Sequence, residues 1–118
     1  MNKQEYTHIN LSYLYDIADN DIDFVKEMIT DYIIKVPVQF TEMQTVFWER
    51  NFEQTHFIAH KIKSAFQFVG AQQLVELARN IERVSETQDI ETITQDLAAM
   101  EPVVKLVLTE LQSELSVL

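Results

Sequence analysis

The chain has no cysteine, one glycine, two prolines and one tryptophan in 118 residues. Without cysteine there are no disulfides, no thiol nucleophile and no cysteine-ligated zinc, and the chain suits a reducing compartment. One glycine cannot build a glycine-rich phosphate loop. So little turn chemistry also argues against an all-β fold, whose hairpins need it repeatedly. Positive charge is scarce as well: 9 Lys and Arg stand against 19 Asp and Glu, a formal net charge of −10. A domain this acidic is repelled by phosphate backbones and anionic lipid, so neither nucleic acid nor a membrane is an expected partner. No apolar run is long enough to span a bilayer. Met1-Asn2-Lys3-Gln4-Glu5 is followed by no apolar stretch of the kind a secretion signal carries. The expectation is a soluble, cytoplasmic protein.

What the chain does have is apolar periodicity. Hydrophobic residues make up 47%, an ordinary globular share. Residues 1–118 read as one domain, able to bury roughly two-thirds of the surface its unfolded form exposes. A short first helix is expected over residues 11–18, with Leu11, Leu14, Tyr15 and Ala18 on one side. Asn20 or Asp21 can cap a second helix, whose stripe runs Ile22, Val25, Ile29, Tyr32, Val36, Phe40, Met43 and Phe47. Pro37 should kink it without breaking it. Asn51 and Gln54 resemble a capping box for a third helix, with Ile58, Ile62, Ala65 and Val69 toward the core and Gly70 as its stop. A fourth helix carries Leu74, Leu77, Ala78 and Ile81 and fades near Glu86. A fifth starts near Asp89 and shows Ile90, Ile93, Leu97, Met100, Val104, Val107, Leu111 and Leu115, with a bend at Pro102. Short connections make neighbours antiparallel. The expected fold is all-α: an up-down-up-down four-helix bundle with a short extra N-terminal helix across one end.

The third helix concentrates the chemistry. At about 100° per residue, His60 falls almost opposite the apolar arc, and Lys63, Ser64 and Gln67 project from its side. An exposed neutral imidazole is a nucleophile that a large partner can reach. An ammonium one turn away can offset the charge on a migrating phosphoryl group. Ser64 leaves room for close approach, and Gln67 can donate a hydrogen bond. Four of the nine basic residues lie between Lys61 and Arg83, a basic island on an acidic chain.

Ala59-His60-Lys61-Ile62-Lys63-Ser64-Ala65, followed by Gly70, resembles the histidine-containing phosphotransfer (HPt) domain. That family's pattern is Ala-His, any residue, an aliphatic, Lys and a small residue, with Gly ten positions after the His. The likeness extends over the helical layout, roughly residues 10–115. It implies a phosphorelay intermediate in two-component signal transduction. Such a protein accepts a phosphoryl group on histidine from a receiver domain's phospho-aspartate and passes it to another receiver. The resemblance puts His60 in the place of the phosphoacceptor, Lys63 in that of the stabilising cation, and Gly70 in that of the glycine that lets the helix end pack closely. Ser64 departs from the glycine many members carry there, which bears on partner choice. Mg²⁺ belongs to the receiver in this scheme, so no cofactor is expected on this chain. The partners implied are receiver domains of response regulators or of a hybrid histidine kinase, and a monomer suffices. There is no kinase ATP-binding segment.

Several residues admit other readings. His56 and His60 share a face at a zinc-ligand spacing, but Phe57-Ile58-Ala59 between them lacks the glutamate of a zinc protease, and no metal is expected. A metal-binding helical bundle and a non-catalytic module that binds a receiver or kinase remain the alternative functions. Phe57 and Phe68 either pack on a neighbouring helix or, with Lys61, rim a docking surface. Leu11, Leu14 and Tyr15 either cap the bundle end or add an exposed apolar patch to that surface. Arg79 and Arg83 either extend the basic island or pair with nearby carboxylates. His8, in an N-terminus expected to fray, is given no role.

Overall fold

The computed structural model describes residues 5–118; residues 1–4, part of the stretch read above for a secretion signal, lie outside the described residues. Five helices follow in order: α1 (Ser12–Ile17), α2 (Ile22–Trp48), α3 (Phe52–Phe68), α4 (Gln72–Ser85) and α5 (Ile90–Ser116). Among the described residues there is no strand. No helix is long and apolar enough to cross a membrane.

Local chemistry marks the helix starts. Asp21, Asn51 and Asp89 each accept a backbone N–H three residues on, from Phe24, Gln54 and Thr92 respectively. A side-chain cap of this kind contributes about 1 kcal/mol. Asp21, not Asn20, caps α2. Both long helices run through their prolines, Pro37 in α2 and Pro102 in α5.

The four long helices pack in a ring, α2 on α3, α3 on α4, α4 on α5 and α5 on α2. All of Val25, Ile29, Tyr32, Val36, Phe40, Met43 and Phe47 on α2 are buried, facing Ile58, Ile62 and Phe66 from α3, Leu74, Ala78 and Ile81 from α4, and Ile93, Met100 and Leu111 from α5. Ala65, expected in the core, is only partly buried, while Phe66 is fully buried. α3 is gripped by α2 on one flank and α4 on the other, so its apolar arc is wider than one stripe.

α2 and α5 are each 27 residues, α3 is 17 and α4 is 14. At 1.5 Å per residue the first two reach about 40 Å and the others about 25 and 21 Å. The α2–α5 pair therefore outruns its neighbours at one end, and residues 5–18 cover that end. The Asn10 amide bonds the Val69 carbonyl at 3.0 Å. The Tyr6 hydroxyl donates to Glu114 Oε1 at 2.8 Å, and the Tyr15 hydroxyl donates to Glu114 Oε2. Burial, then the bond to Glu114, pushes both phenols well above the usual tyrosine range. His8 is held too, its amide on Glu110 Oε1 at 2.8 Å and its ring Nδ1 on Glu110 Oε2 at 2.7 Å. The segment expected to fray is thus tied along α5.

Each of the four turns between helices contains a residue with positive φ: Asp19 and Asn20, Arg50, Gly70 and Gln88. Only one of these turns uses glycine, and the reason is local. A Cβ at position 70 would stand 2.2 Å from the Asn10 carbonyl oxygen. Gly70 is required because the N-terminal segment lies against the turn. Gly70→Ala should cost more than the roughly 1–2 kcal/mol of a left-handed backbone alone, since Asn10 must also move. Gln88→Ala should cost well under 1 kcal/mol, its left-handed strain being already present. Urea denaturation of the two variants checks the difference.

Candidate functional site

α3 and α4 are joined by three residues, so positions at similar distances from Gly70 meet across the pair. His60 lies ten residues before that glycine and Glu82 twelve after it. The pairing brings Glu82 beneath the outer face of α3. Its carboxylate is shared: Oε1 lies 2.7 Å from His60 Nδ1, and Oε2 lies 2.7 Å from Lys63 Nζ. The His60 side chain is 62% exposed, whereas those of Lys63 and Glu82 are each 17% exposed. The imidazole thus stands in solvent on a mostly covered ion pair.

The protonation states follow from the partners. Burial alone would raise the Glu82 carboxyl, but the hydrogen bonds from Lys63 and then His60 outweigh it and hold the group below the usual carboxylate range. An ionised carboxylate only accepts, so the proton of neutral His60 sits on Nδ1. The lone pair is then on Nε2, the atom away from Glu82. This fixes which nitrogen can act as nucleophile.

Around His60, Gln67 and Lys61 are exposed and Ser64 is half-buried. The Lys61 ammonium sits 5.8 Å from the centre of the Phe57 ring, and Phe57 is 58% exposed. Phe68 is packed inward between Tyr32 and Tyr13, with ring centroids 6.4 and 5.7 Å away. Burial, then Asp31 and Tyr13, pushes the Tyr32 phenol up to about 12.

Of the two readings of the first helix, Leu11, Leu14 and Tyr15 follow the one in which they cap the bundle end. Leu14 is 0% exposed, and Leu11 and Tyr15 are buried with it. These three side chains form no exposed docking patch: they seat α1 on the bundle, and Tyr15 is further committed to Glu114. The exposed apolar residues of α1 are Tyr13 and Ile17, on its other side. Two of the four cations of the basic island pair with carboxylates. Lys63 pairs with Glu82 and Arg79 with Glu76 at 2.7 Å, while Arg83 donates to Asn80 Oδ1 at 2.6 Å. His56 Nδ1 lies 2.8 Å from the Glu82 carbonyl oxygen. Among the described residues no group of three or more His, Cys, Asp or Glu is placed to hold a metal ion.

Glu82 is the residue that sequence reasoning missed. Periodicity within one helix carries no information about the partner helix. Counting outward from Gly70 on both sides narrows the search to the stretch around Asn80, two residues short of Glu82.

The lowered Glu82 pKa fixes the sign of a stability effect. A carboxylate depressed on folding adds stability that is complete above the unfolded-state value and is lost as pH falls through the lower folded value. Stability should therefore fall with acid from near the usual glutamate range, around 4.3, downward. In Glu82→Gln this part of the pH dependence should be absent. Urea midpoints of both proteins measured from neutral pH into acid check it.

The model of the Hpt domain matches residues 27–116. No curated protein and no solved structure gives a significant match. The matched span takes in most of α2 and all of α3, α4 and α5, together with His60, Lys63, Gly70 and Glu82, and on that match the chain belongs to the Hpt domain family.

Proposed function

We propose that the protein is a phosphorelay shuttle in which His60 accepts a phosphoryl group from a receiver domain's phospho-aspartate and returns it to a receiver. Membership of the Hpt domain family carries phosphotransfer in two-component signalling as the general role. The observation that carries the specific reading is the His60–Glu82–Lys63 array, with an exposed ring whose Nδ1 is engaged and whose Nε2 is free. The antiparallel bundle expected from the short turns holds this array on two rigid helices.

In the step we propose, the Nε2 lone pair attacks phosphorus, the N–P bond forms and the acyl P–O bond breaks. The electron pair leaves on the receiver's aspartate, which regains its carboxylate. The Nδ1 proton stays where it is, so the ring becomes a phosphoimidazolium. Its positive charge develops 2.7 Å from Glu82 Oε1, and a carboxylate so placed stabilises it, as an acid residue does for the imidazolium of a catalytic triad. The Lys63 ammonium keeps Glu82 ionised through one N–H and has two more to offer the phosphoryl oxygens. The reverse step uses the same contacts, so the site works in both directions. Mg²⁺ in this scheme is the receiver's, and no cofactor is assigned to this chain. The reacting species are one receiver and one copy of this protein, in the cytoplasm.

The docking surface we assign surrounds His60: Phe57 and Lys61 on α3, with Tyr13 and Ile17 extending it on α1. Ser64 and Gln67 continue the same face of α3 beyond the ring, and Gly70 ends α3 in its tight turn. Leu11, Leu14, Tyr15 and the inward-packed Phe68 serve this surface as support beneath it.

Label transfer from a panel of radiolabelled phospho-receivers tests the reading. Wild type should take up acid-labile, base-stable label, and His60→Gln should take up none while unfolding at nearly the same temperature, because an exposed substitution changes stability little. Lys63→Ala should slow transfer by roughly 10²-fold with a much smaller change in receiver affinity. Receiver binding without transfer by wild type would instead make the protein a non-catalytic interaction module.

A further inference from the structure

We infer that His56 is a positioning residue for phosphotransfer: by anchoring the backbone of Glu82 it holds that carboxylate under His60. The inference rests on the proposed role of His60.

Glu82 is gripped three times from one helix. Its two carboxylate oxygens take His60 and Lys63, and its carbonyl lies 2.8 Å from the ring Nδ1 of His56. His56 stands one turn before His60 on α3, so one helix holds both the main chain and the side chain of the same residue. The grip falls at the end of α4: the helix ends at Ser85 and Glu82 lies in its last turn, where carbonyls rely on partners outside the helix, Val84 on the Thr87 amide and Ser85 on the Gln88 amide. The chain then leaves through a turn with left-handed Gln88. Helix ends of this kind fray unless something outside the helix holds them. A ring N–H is a suitable partner, because the C-terminal end of a helix favours a donor or a positive charge.

The carbonyl can only accept, so His56 carries its proton on Nδ1 when neutral. Both histidines therefore donate from Nδ1 to the same glutamate, and this is what their spacing of four achieves. The zinc-ligand spacing noticed in the sequence is equally the spacing at which two rings on one face reach the carbonyl and the carboxylate of one residue on the facing helix. Two bonds of 2.7 Å at the Glu82 carboxylate leave little slack. A displacement of that group by about 1 Å would release the Nδ1 proton of His60, and misplacements of this size cost up to roughly 10²-fold in rate.

The test reads the ring-nitrogen shifts of His56 and His60 in ¹⁵N-labelled protein, beside the rate of phosphoryl uptake from a phospho-receiver. In wild type above the histidine titration, both rings should be protonated on Nδ1. His56→Leu should shift His60 toward the Nε2–H form that a free histidine side chain favours and slow uptake by roughly tenfold. His56→Gln, whose amide can donate to the same carbonyl, should restore most of both. A His56→Leu protein with an unchanged His60 tautomer and an unchanged rate would overturn the inference, whatever its loss of thermal stability, and reduce His56 to a helix cap. Wild-type His56 with its proton on Nε2 would overturn it without any variant having to fold. The expected tautomer shift together with no uptake by wild type from any receiver would overturn the phosphotransfer reading instead, so the two failures are separable.

Discussion

One carboxylate organises this molecule's chemistry. Glu82 is mostly covered, ionised, and divided between a mostly covered ammonium and an exposed imidazole. Each partner depends on it differently. Without Glu82, Lys63 would be a poorly solvated cation without its counter-charge, which is costly. His60 would keep its exposure but lose the acceptor that fixes its tautomer. An exposed histidine alone is a weak statement about function. An exposed histidine whose inner nitrogen is pinned to a carboxylate presents one defined lone pair to solvent.

The rest of the fold can be understood as what holds Glu82 and His60 in register. α3 and α4 meet through a tight turn at Gly70, and that turn is closed by the N-terminal segment, through the bond from Asn10 to Val69. The segment is in turn fastened to α5 by Tyr6, His8 and Tyr15 acting on Glu110 and Glu114. The buried Glu114 is satisfied by two phenols, the condition under which a covered carboxylate is tolerable. Residues far from the His60 ring thus share in setting the α3–α4 register, and glycine at position 70 is where the two requirements meet.

Much of this was legible in the sequence because helix periodicity is a local code. The stripe from Val25 to Phe47 is buried throughout, and the placement of His60 opposite Ile58 and Ile62 follows from 100° per residue. The failures share one cause, contacts between residues far apart in the chain. Phe66 lay outside the single arc drawn for α3 because α4 covers a second flank. For Leu14 the sequence leaves capping and an exposed patch both open, because an amphipathic turn does not reveal what lies against it. Ser12–Ile17 is a single short helix whose apolar side seats on the bundle, leaving Tyr13 and Ile17 outside. His8 looked idle because its partner Glu110 is 102 positions away. Glu82 itself reads as one more solvated acid on an acidic chain until the α3–α4 hairpin is folded.

In the proposed phosphotransfer, the Nδ1 bond to Glu82 leaves Nε2 of His60 as the reacting atom. This is tested most directly by phosphorylating ¹⁵N-histidine-labelled protein and finding which ring nitrogen couples to phosphorus. Coupling is expected to Nε2 of His60, with the Nδ1 proton still present and hydrogen-bonded. Phosphorus on Nδ1 would contradict it, because that nitrogen cannot hold both the phosphoryl group and the proton shared with Glu82.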